Sequence, residues 1–231
     1  MLARYAHQLA DDPSSVSTTP TAWPGDTGYG GLLNVCYEVR GYEAAGAAAI
    51  QLEDQEFPKK CGHTPGRRVI PMADMVRKIQ VARDSRGSAD FLIIARTDAR
   101  STLGLDEALR RAEAYGRAGA DILFVESPET VEEMQHIGRN TDLPLIANMV
   151  EGGRTPVLSQ SELEAIGDKI AIFPVTALLA ATEAMKTVYS HLQNTGSSAA
   201  AAVPLMPFCE LTQFMGFQEV WDFDKRYAEE N

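Results

Sequence analysis

From residue 47 onward, short and almost wholly apolar runs alternate with longer segments in which apolar residues recur every three to four positions. The runs are AAAIQLED (47–54), FLIIARTD (91–98), DILFVES (121–127), PLIANMV (144–150) and KIAIFPV (169–175). A strand covered on both faces is apolar almost throughout, and strands that alternate with amphipathic helices build a parallel sheet. The intervening segments predict helices over MADMVRKIQVARDS (72–85), LDEALRRAEAYGRAG (105–119), TVEEMQHIG (130–138) and SQSELEAIG (159–167), with a further one upstream over LLNVCYEVRGYEAAGA (32–47). Asp106 stands near one helix start, and Ser159 and Glu162 have the spacing of a capping box. Gly119, Gly138 and Gly167 occupy positions where glycines end helices.

Polar residues close strand after strand: Glu53 and Asp54, then Arg96, Thr97 and Asp98, then Glu126, then Asn148. In a (β/α) barrel these ends converge on one mouth, where such folds carry their chemistry; a doubly wound sheet is the competing arrangement. The first 46 residues are less regular. LARYAHQLA reads as a helix, whereas PSSVSTTPTAWPGDTGYGG, rich in prolines, hydroxyls and glycines, is not written as a central strand. NTGSSAAAAVP (194–204) reads as a linker, and FCELTQFMGFQEVWDFDKRYAEE after it as one or two amphipathic helices whose aromatics need a surface to cover. The expected division is a barrel over 1–193, a linker over 194–204 and a helical extension over 205–231.

With 231 residues and 45% hydrophobic content, the chain can bury one substantial core. A formal net charge of −11 and a pI near 4.8 argue against nucleic acid and anionic membranes as partners, since both reward clustered positive charge. A small molecule or a protein fits better. No stretch approaches the roughly 18 apolar residues of a membrane span, and the N-terminus lacks the long apolar core of a secretory signal. Three cysteines, Cys36, Cys61 and Cys209, form no closely spaced pair and leave an odd thiol. That is the usage of a soluble, cytoplasmic protein with reduced thiols.

KKCGH (59–63) places a thiol among cations in a loop between a predicted strand and a helix. Cations beside a thiol draw its pKa down from about 8.5, so Cys61 is a candidate acid, base or nucleophile. A long βα loop over a barrel mouth is also where a mobile lid sits. No second Cys or His lies at ligand spacing, which leaves zinc and iron–sulfur chemistry unsupported. Asp26, Glu53, Asp54, Asp98 and Glu126 are candidates for a hard-cation site suited to Mg²⁺. Arg96 is a fork for a substrate carboxylate, or else the ion-pair partner of Asp98 or another acid at the strand ends.

DTGYGG, AAIQLEDQEFPKKCGH, FLIIARTDAR, GLDEALRRAEAYGRAGADILFVESPE, LIANMVEGGRTP and IAIFPVTALLAATEAM together resemble the isocitrate lyase/phosphoenolpyruvate mutase superfamily, from about residue 26 to the C-terminus. Within it, the K-[KR]-C-G-H loop marks carbon–carbon lyases of the methylisocitrate, dimethylmalate and isocitrate type, and oxaloacetate hydrolase carries it too. The resemblance implies a (β/α)8 TIM-type barrel whose C-terminal helix is exchanged between subunits of a dimer or tetramer. It implies Mg²⁺, with Mn²⁺ as an alternative, held near Glu53 and Asp26. Arg96, Gly62, His63, Glu126 and Asn148 would bind or position a small carboxylate substrate, and Cys61 would protonate the enolate left by cleavage of a 2-hydroxy di- or tricarboxylate.

Two departures bear on this. Where relatives have D-A-D-T-G-[YF]-G, this chain has PGDTGYG, so Pro24 stands in place of the aspartate that ligates the metal. Relatives also have a longer N-terminal region bearing the first two barrel strands, so the barrel is expected to be incomplete. The alternatives are therefore an oxaloacetate hydrolase or phosphonate-related enzyme on the same scaffold, or a non-catalytic truncated homologue.

Overall fold

In the computed structural model, which describes residues 22–228, six strands form one parallel sheet in sequential order. They are β1 (Ala22–Pro24), β2 (Ala49–Glu53), β3 (Leu92–Thr97), β4 (Ile122–Val125), β5 (Leu145–Asn148) and β6 (Asp168–Ile172). Parallel neighbours need crossovers, and helices supply them: α1 (Leu32–Ala44), α2 (Met72–Ser85), α3 (Arg100–Leu103) with α4 (Leu105–Ala118), α5 (Val131–Arg139) and α6 (Gln160–Ile166). A doubly wound sheet reverses its strand order at a switch point, whereas the order here runs from β1 to β6 without reversal. This is the order of a (β/α) barrel, with six of its eight strands among the described residues.

Alternation along the strands sorts their side chains between two cores. Ile50 and Leu52, Ile93 and Ala95, and Leu123 and Val125 pack outward with Val35 and Val39 of α1, Met75 and Ile79 of α2, and Tyr115 of α4. Ala49, Ile94, Ile122, Phe124 and Ile146 form a smaller inner cluster. The two-residue period carries the inner face onward to Glu53, Arg96, Glu126 and Asn148 at the strand ends.

Several expectations change. The irregular stretch before residue 30 contributes a strand after all: β1 pairs with β2 from Ala22↔Ala49 to Pro24↔Gln51. It is an exposed edge, where a proline costs no ladder bond. The rest of that stretch before residue 22, and the helix expected over LARYAHQLA, lie outside the described residues. Gly138 does not end a helix. It lies within α5, where an added Cβ would stand 2.1 Å from the Ile166 carbonyl oxygen, so it is a point of close approach to α6. Gly119 and Gly167 do cap their helices in the left-handed conformation, and Ser159 and Glu162 form the capping box.

The described residues divide into two units, 22–174 and 175–228. The second holds α7 (Thr176–Thr195), α8 (Phe208–Phe214) and α9 (Phe217–Tyr227). α7 lies beyond the helices that periodicity predicts, because TALLAATEAM is apolar nearly all round. Phe208, Met215, Phe223 and Tyr227 are exposed in this unit. No described helix is long and apolar enough to cross a membrane.

Candidate active site

Glu126, fully buried at the end of β4, is the hub of the mouth. Arg96 Nη2 lies 3.2 Å from its Oε2, His63 Nε2 lies 3.3 Å from its Oε1, and Asn148 Nδ2 reaches both oxygens at 3.3 and 3.4 Å. Ser127, in the left-handed region at φ 59°, places its Oγ within hydrogen-bond distance of both the Gly62 carbonyl, at 2.8 Å, and Glu126 Oε1, at 3.0 Å, its single proton serving one of them at a time. Backbone held in such a region is a mark of over-determined, often functional, positions. Asn148 must turn its amide donor to an acceptor-only carboxylate, which leaves its buried Oδ1 without a partner.

The Arg96 fork is taken. Its Nε and Nη2 donate to Asp98 at 2.9 and 3.0 Å, its Cζ stands 5.0 Å from the centre of the Phe124 ring, and Nη1 meets Glu53 only at 3.8 Å. The bidentate partner expected from a substrate is here an acid of the chain itself. Nη1 is the part of the guanidinium with capacity left.

The β2–α2 loop is seated over this cluster by ties at its base and near its tip. Gln55 pairs with Val69 in an isolated bridge, and Ile70 N–H donates to Asp54 O. Gln55 also clamps Lys60: its Nε2 donates to Glu53 Oε1 and to Lys60 O, and its Oε1 accepts from Lys60 N, all at 3.0 Å. On the return leg, Arg67 donates to Asp98 at 2.6 Å and to Ser101. Gly62 then lies so close to the cluster that an added Cβ would meet Arg96 Nη2 at 2.6 Å and Glu126 Cδ at 2.8 Å. His63 Nδ1 accepts from Arg154 N–H at 3.2 Å, so its ring proton belongs on Nε2, facing Glu126. Cys61 is exposed beside Gly62. Of the basic residues that flank it in sequence, His63 turns to Glu126 and Lys59 to Glu53 and Asp26.

That last contact defines the second half of the site. Asp26, at φ 51° in the turn after β1, and Glu53 each place an oxygen 3.3 Å from Lys59 Nζ. Burial, with Asp98 adding to it, pushes the Glu53 carboxyl up against the opposing pull of Arg96 and Lys59. Burial also works against the Lys59 ammonium, but Glu53 and Asp26 outweigh it and hold its pKa above the ordinary value. On α1, burial and the Asp26 charge push Glu38 up to about 7, and its Oε2 has no partner. Lys78 of α2 steadies the turn by donating to the Thr27 carbonyl at 2.6 Å.

Among the described residues, no three His, Cys, Asp or Glu side chains are grouped to hold a metal ion, and Pro24 supplies no ligand. The expected metal set reduces to Asp26 and Glu53. These two still fit Mg²⁺, which takes one or two carboxylates from a protein and completes its shell with water and substrate oxygens. The donors are hard oxygens, and the pair already embraces a stand-in cation.

Asp54 and Asp98, also candidate cation ligands by sequence, are committed elsewhere. Asp54 leaves β2 on the outer face and accepts from Asp98 N, Thr97 Oγ1, Tyr115 OH and Arg111 Nη1 at 2.8 to 2.9 Å. Asp98 lies between Arg67 and Arg96. Sequence reading alone does not find Lys59, Glu38, Gln55 or Ser127 as parts of the site. A glutamine two residues beyond Glu53 carries no signal by itself; Lys59 carried one, but toward the thiol.

Comparisons with known proteins identify the family to which this fold belongs. The phosphoenolpyruvate phosphomutase family matches residues 5–193. A 2,3-dimethylmalate lyase of Eubacterium barkeri is 47% identical over 209 residues, covering 90% of this chain and 72% of the relative. A 2-methylisocitrate lyase of Aeropyrum pernix is 42% identical, covering 93% and 68%. In structure, 2,3-dimethylmalate lyase, described as a PEP mutase/isocitrate lyase superfamily member, superposes with a TM-score of 0.82 at 34% identity, covering 92% of this chain and 71% of the other. Phosphonopyruvate hydrolase in complex with oxalate and Mg²⁺ gives 0.77 at 30% identity, covering 94% and 75%. The chain belongs to the phosphoenolpyruvate mutase/isocitrate lyase superfamily, as an enzyme of its carbon–carbon lyase kind.

Proposed function

We propose that the protein is a Mg²⁺-dependent lyase that cleaves a small 2-hydroxy di- or tricarboxylate, of the dimethylmalate or methylisocitrate type, into an α-keto acid and a second carboxylate. The observation that carries this reading is the seating of Gly62 against Arg96 and Glu126, beside two carboxylates that already bracket a cation. Cleavage requires the C2 hydroxyl to lose its proton to solvent water as C2 becomes a carbonyl and the C2–C3 bond breaks, with the electron pair of that bond moving onto the adjacent carboxylate as an enolate. A bound Mg²⁺, held by Asp26 and Glu53, would supply positive charge for the oxygens on which negative charge develops.

The chain's own groups account for the rest. Arg96 Nη1 offers a donor to a substrate carboxylate, and the unpartnered Asn148 Oδ1 offers an acceptor to a substrate hydroxyl. His63 and Glu126 hold each other and so fix the floor on which the substrate rests. Cys61, next to Gly62 and exposed, delivers the proton to the enolate carbon.

The apolar side chains exposed over 175–228 support a homo-oligomer in which this unit packs against a second copy. Three unpaired cysteines support a cytoplasmic setting.

The test is turnover of 2,3-dimethylmalate and 2-methylisocitrate with Mg²⁺, following pyruvate by coupled NADH oxidation. Pyruvate without inorganic phosphate is expected. Release of phosphate from phosphonopyruvate would instead favour a hydrolase, and no turnover with no Mg²⁺-dependent binding of oxalate would favour a non-catalytic homologue. Cys61→Ser should abolish pyruvate formation while leaving oxalate binding unchanged; undiminished turnover would remove Cys61 as the acid.

A further inference from the structure

We propose that Lys59 is a resident counter-ion which competes with the divalent cation for the Asp26 and Glu53 pair, and so sets the affinity of the site for metal. This rests on the Mg²⁺ reading given above. Lys59 Nζ lies 3.3 Å from Asp26 Oδ2 and 3.3 Å from Glu53 Oε2. Hard cations take oxygen ligands at roughly 2.0–2.6 Å, so an ion bound between these two oxygens would occupy the ground on which the ammonium now stands. Two positive charges that close together in a partly buried site repel strongly, and the ammonium must leave before the ion can settle.

The rest of the loop is built to let it leave. Lys59 is 36% exposed at its side chain, so a swing of its stem carries the charge to water. Lys60 stays clamped by Gln55, Gly62 by Ser127, and His63 by the Arg154 amide and Glu126. None of these ties runs through the Lys59 side chain. Exchange of ammonium for metal therefore changes the occupant of the carboxylate pair without unseating the segment that carries Cys61. Pro24 sharpens the competition, because the end of β1 offers no carboxylate to favour the ion over the ammonium.

The measurement is Mn²⁺ binding to the full chain without substrate, read from the electron spin resonance signal of the free ion. Lys59→Met keeps the length and apolar stem but removes the charge, and should tighten binding by about tenfold or more. Lys60→Met, one residue on and outside the carboxylate pair, should leave it unchanged. Lys59→Gln serves as a second uncharged variant should the methionine form fold poorly. In parallel, the rate at which a thiol reagent labels Cys61 should be the same with and without saturating Mn²⁺. Equal or weaker binding by both Lys59 variants overturns the competition while leaving the Mg²⁺ reading intact. Equal tightening by Lys60→Met overturns it as well, since a general change of charge would then suffice. A metal-dependent rise in Cys61 labelling overturns the claim that the loop stays seated. Failure of every variant to bind Mn²⁺ at millimolar concentration overturns the Mg²⁺ reading, and the inference with it.

Discussion

Glu53 and Asp54 are adjacent acids at the end of one strand, both almost wholly buried, and their fates are opposite. Asp54 turns outward and collects four donors, among them Arg111 and Tyr115 of α4 and the amide of Asp98. Burial pushes its carboxyl up, and those four donors pull in the other direction. Glu53 turns inward and has Lys59, a single neutral donor, Gln55, and the Arg96 guanidinium at the longer distance of 3.8 Å. A buried carboxylate whose oxygens are saturated is a strut. One whose company is mobile charge is available to something else. Burial alone does not distinguish the two; the inventory of partners does.

Replacing each acid tests this contrast. Asp54→Ala strips the buried Arg111 guanidinium of one of its two carboxylates, leaving Glu107, and takes the acceptor from the Tyr115 hydroxyl, a loss at the lower end of the range for a broken buried pair, about 3 kcal/mol. Urea unfolding should show a loss of that size, whereas Glu53→Gln should change stability by less than about 1 kcal/mol while removing Mn²⁺ binding. Comparable losses from both would erase the distinction between strut and site.

Asp168 sharpens the comparison from a third direction. It is 8% exposed, lines a cavity of about 20 Å³ together with Thr155 and Asn148, and burial pushes its carboxyl up to about 6 from an ordinary 3.8. The folded state holds this proton more tightly than the unfolded state, so stability falls as pH rises from about 4 through 6, and the full cost is present above 6. Asp168→Asn should therefore raise stability by roughly 3 kcal/mol at pH 8 and by almost nothing at pH 3. A pH-independent effect in thermal unfolding would show that charge is not the cause.

Gly62→Ala probes the functional side. Its Cβ has no room between Arg96 Nη2 and Glu126, so the loop must lift by a few tenths of an ångström or more. Misplacement approaching 1 Å costs up to about 10²-fold in kcat/KM, while Mn²⁺ affinity and the urea midpoint should stay near their original values. A loss confined to stability would mean that Gly62 serves packing rather than positioning.

Much of the barrel is legible in the chain. Apolar runs that leave no polar face, the Ser159 and Glu162 capping box, and the left-handed Gly119 and Gly167 are local devices, and local physics is written locally. β1 is not legible, since AWP becomes a strand only because β2 offers it an edge. Gly138 resembles a helix end until the backbone of Ile166 is seen beside it.

The site divides along the same line. Which residues stand at the strand ends, and that they alternate between two faces, follows from a two-residue period in the sequence by itself. Which face looks into the mouth depends on where α2 and α4 pack, and that assigns Glu53 to the site and Asp54 to the wall. The pairing of Lys59 with Asp26 and Glu53 lies further still from the sequence. It brings together a turn, a strand end and a loop, separated in the chain, whose charges meet only when the sheet has drawn its ends to one place.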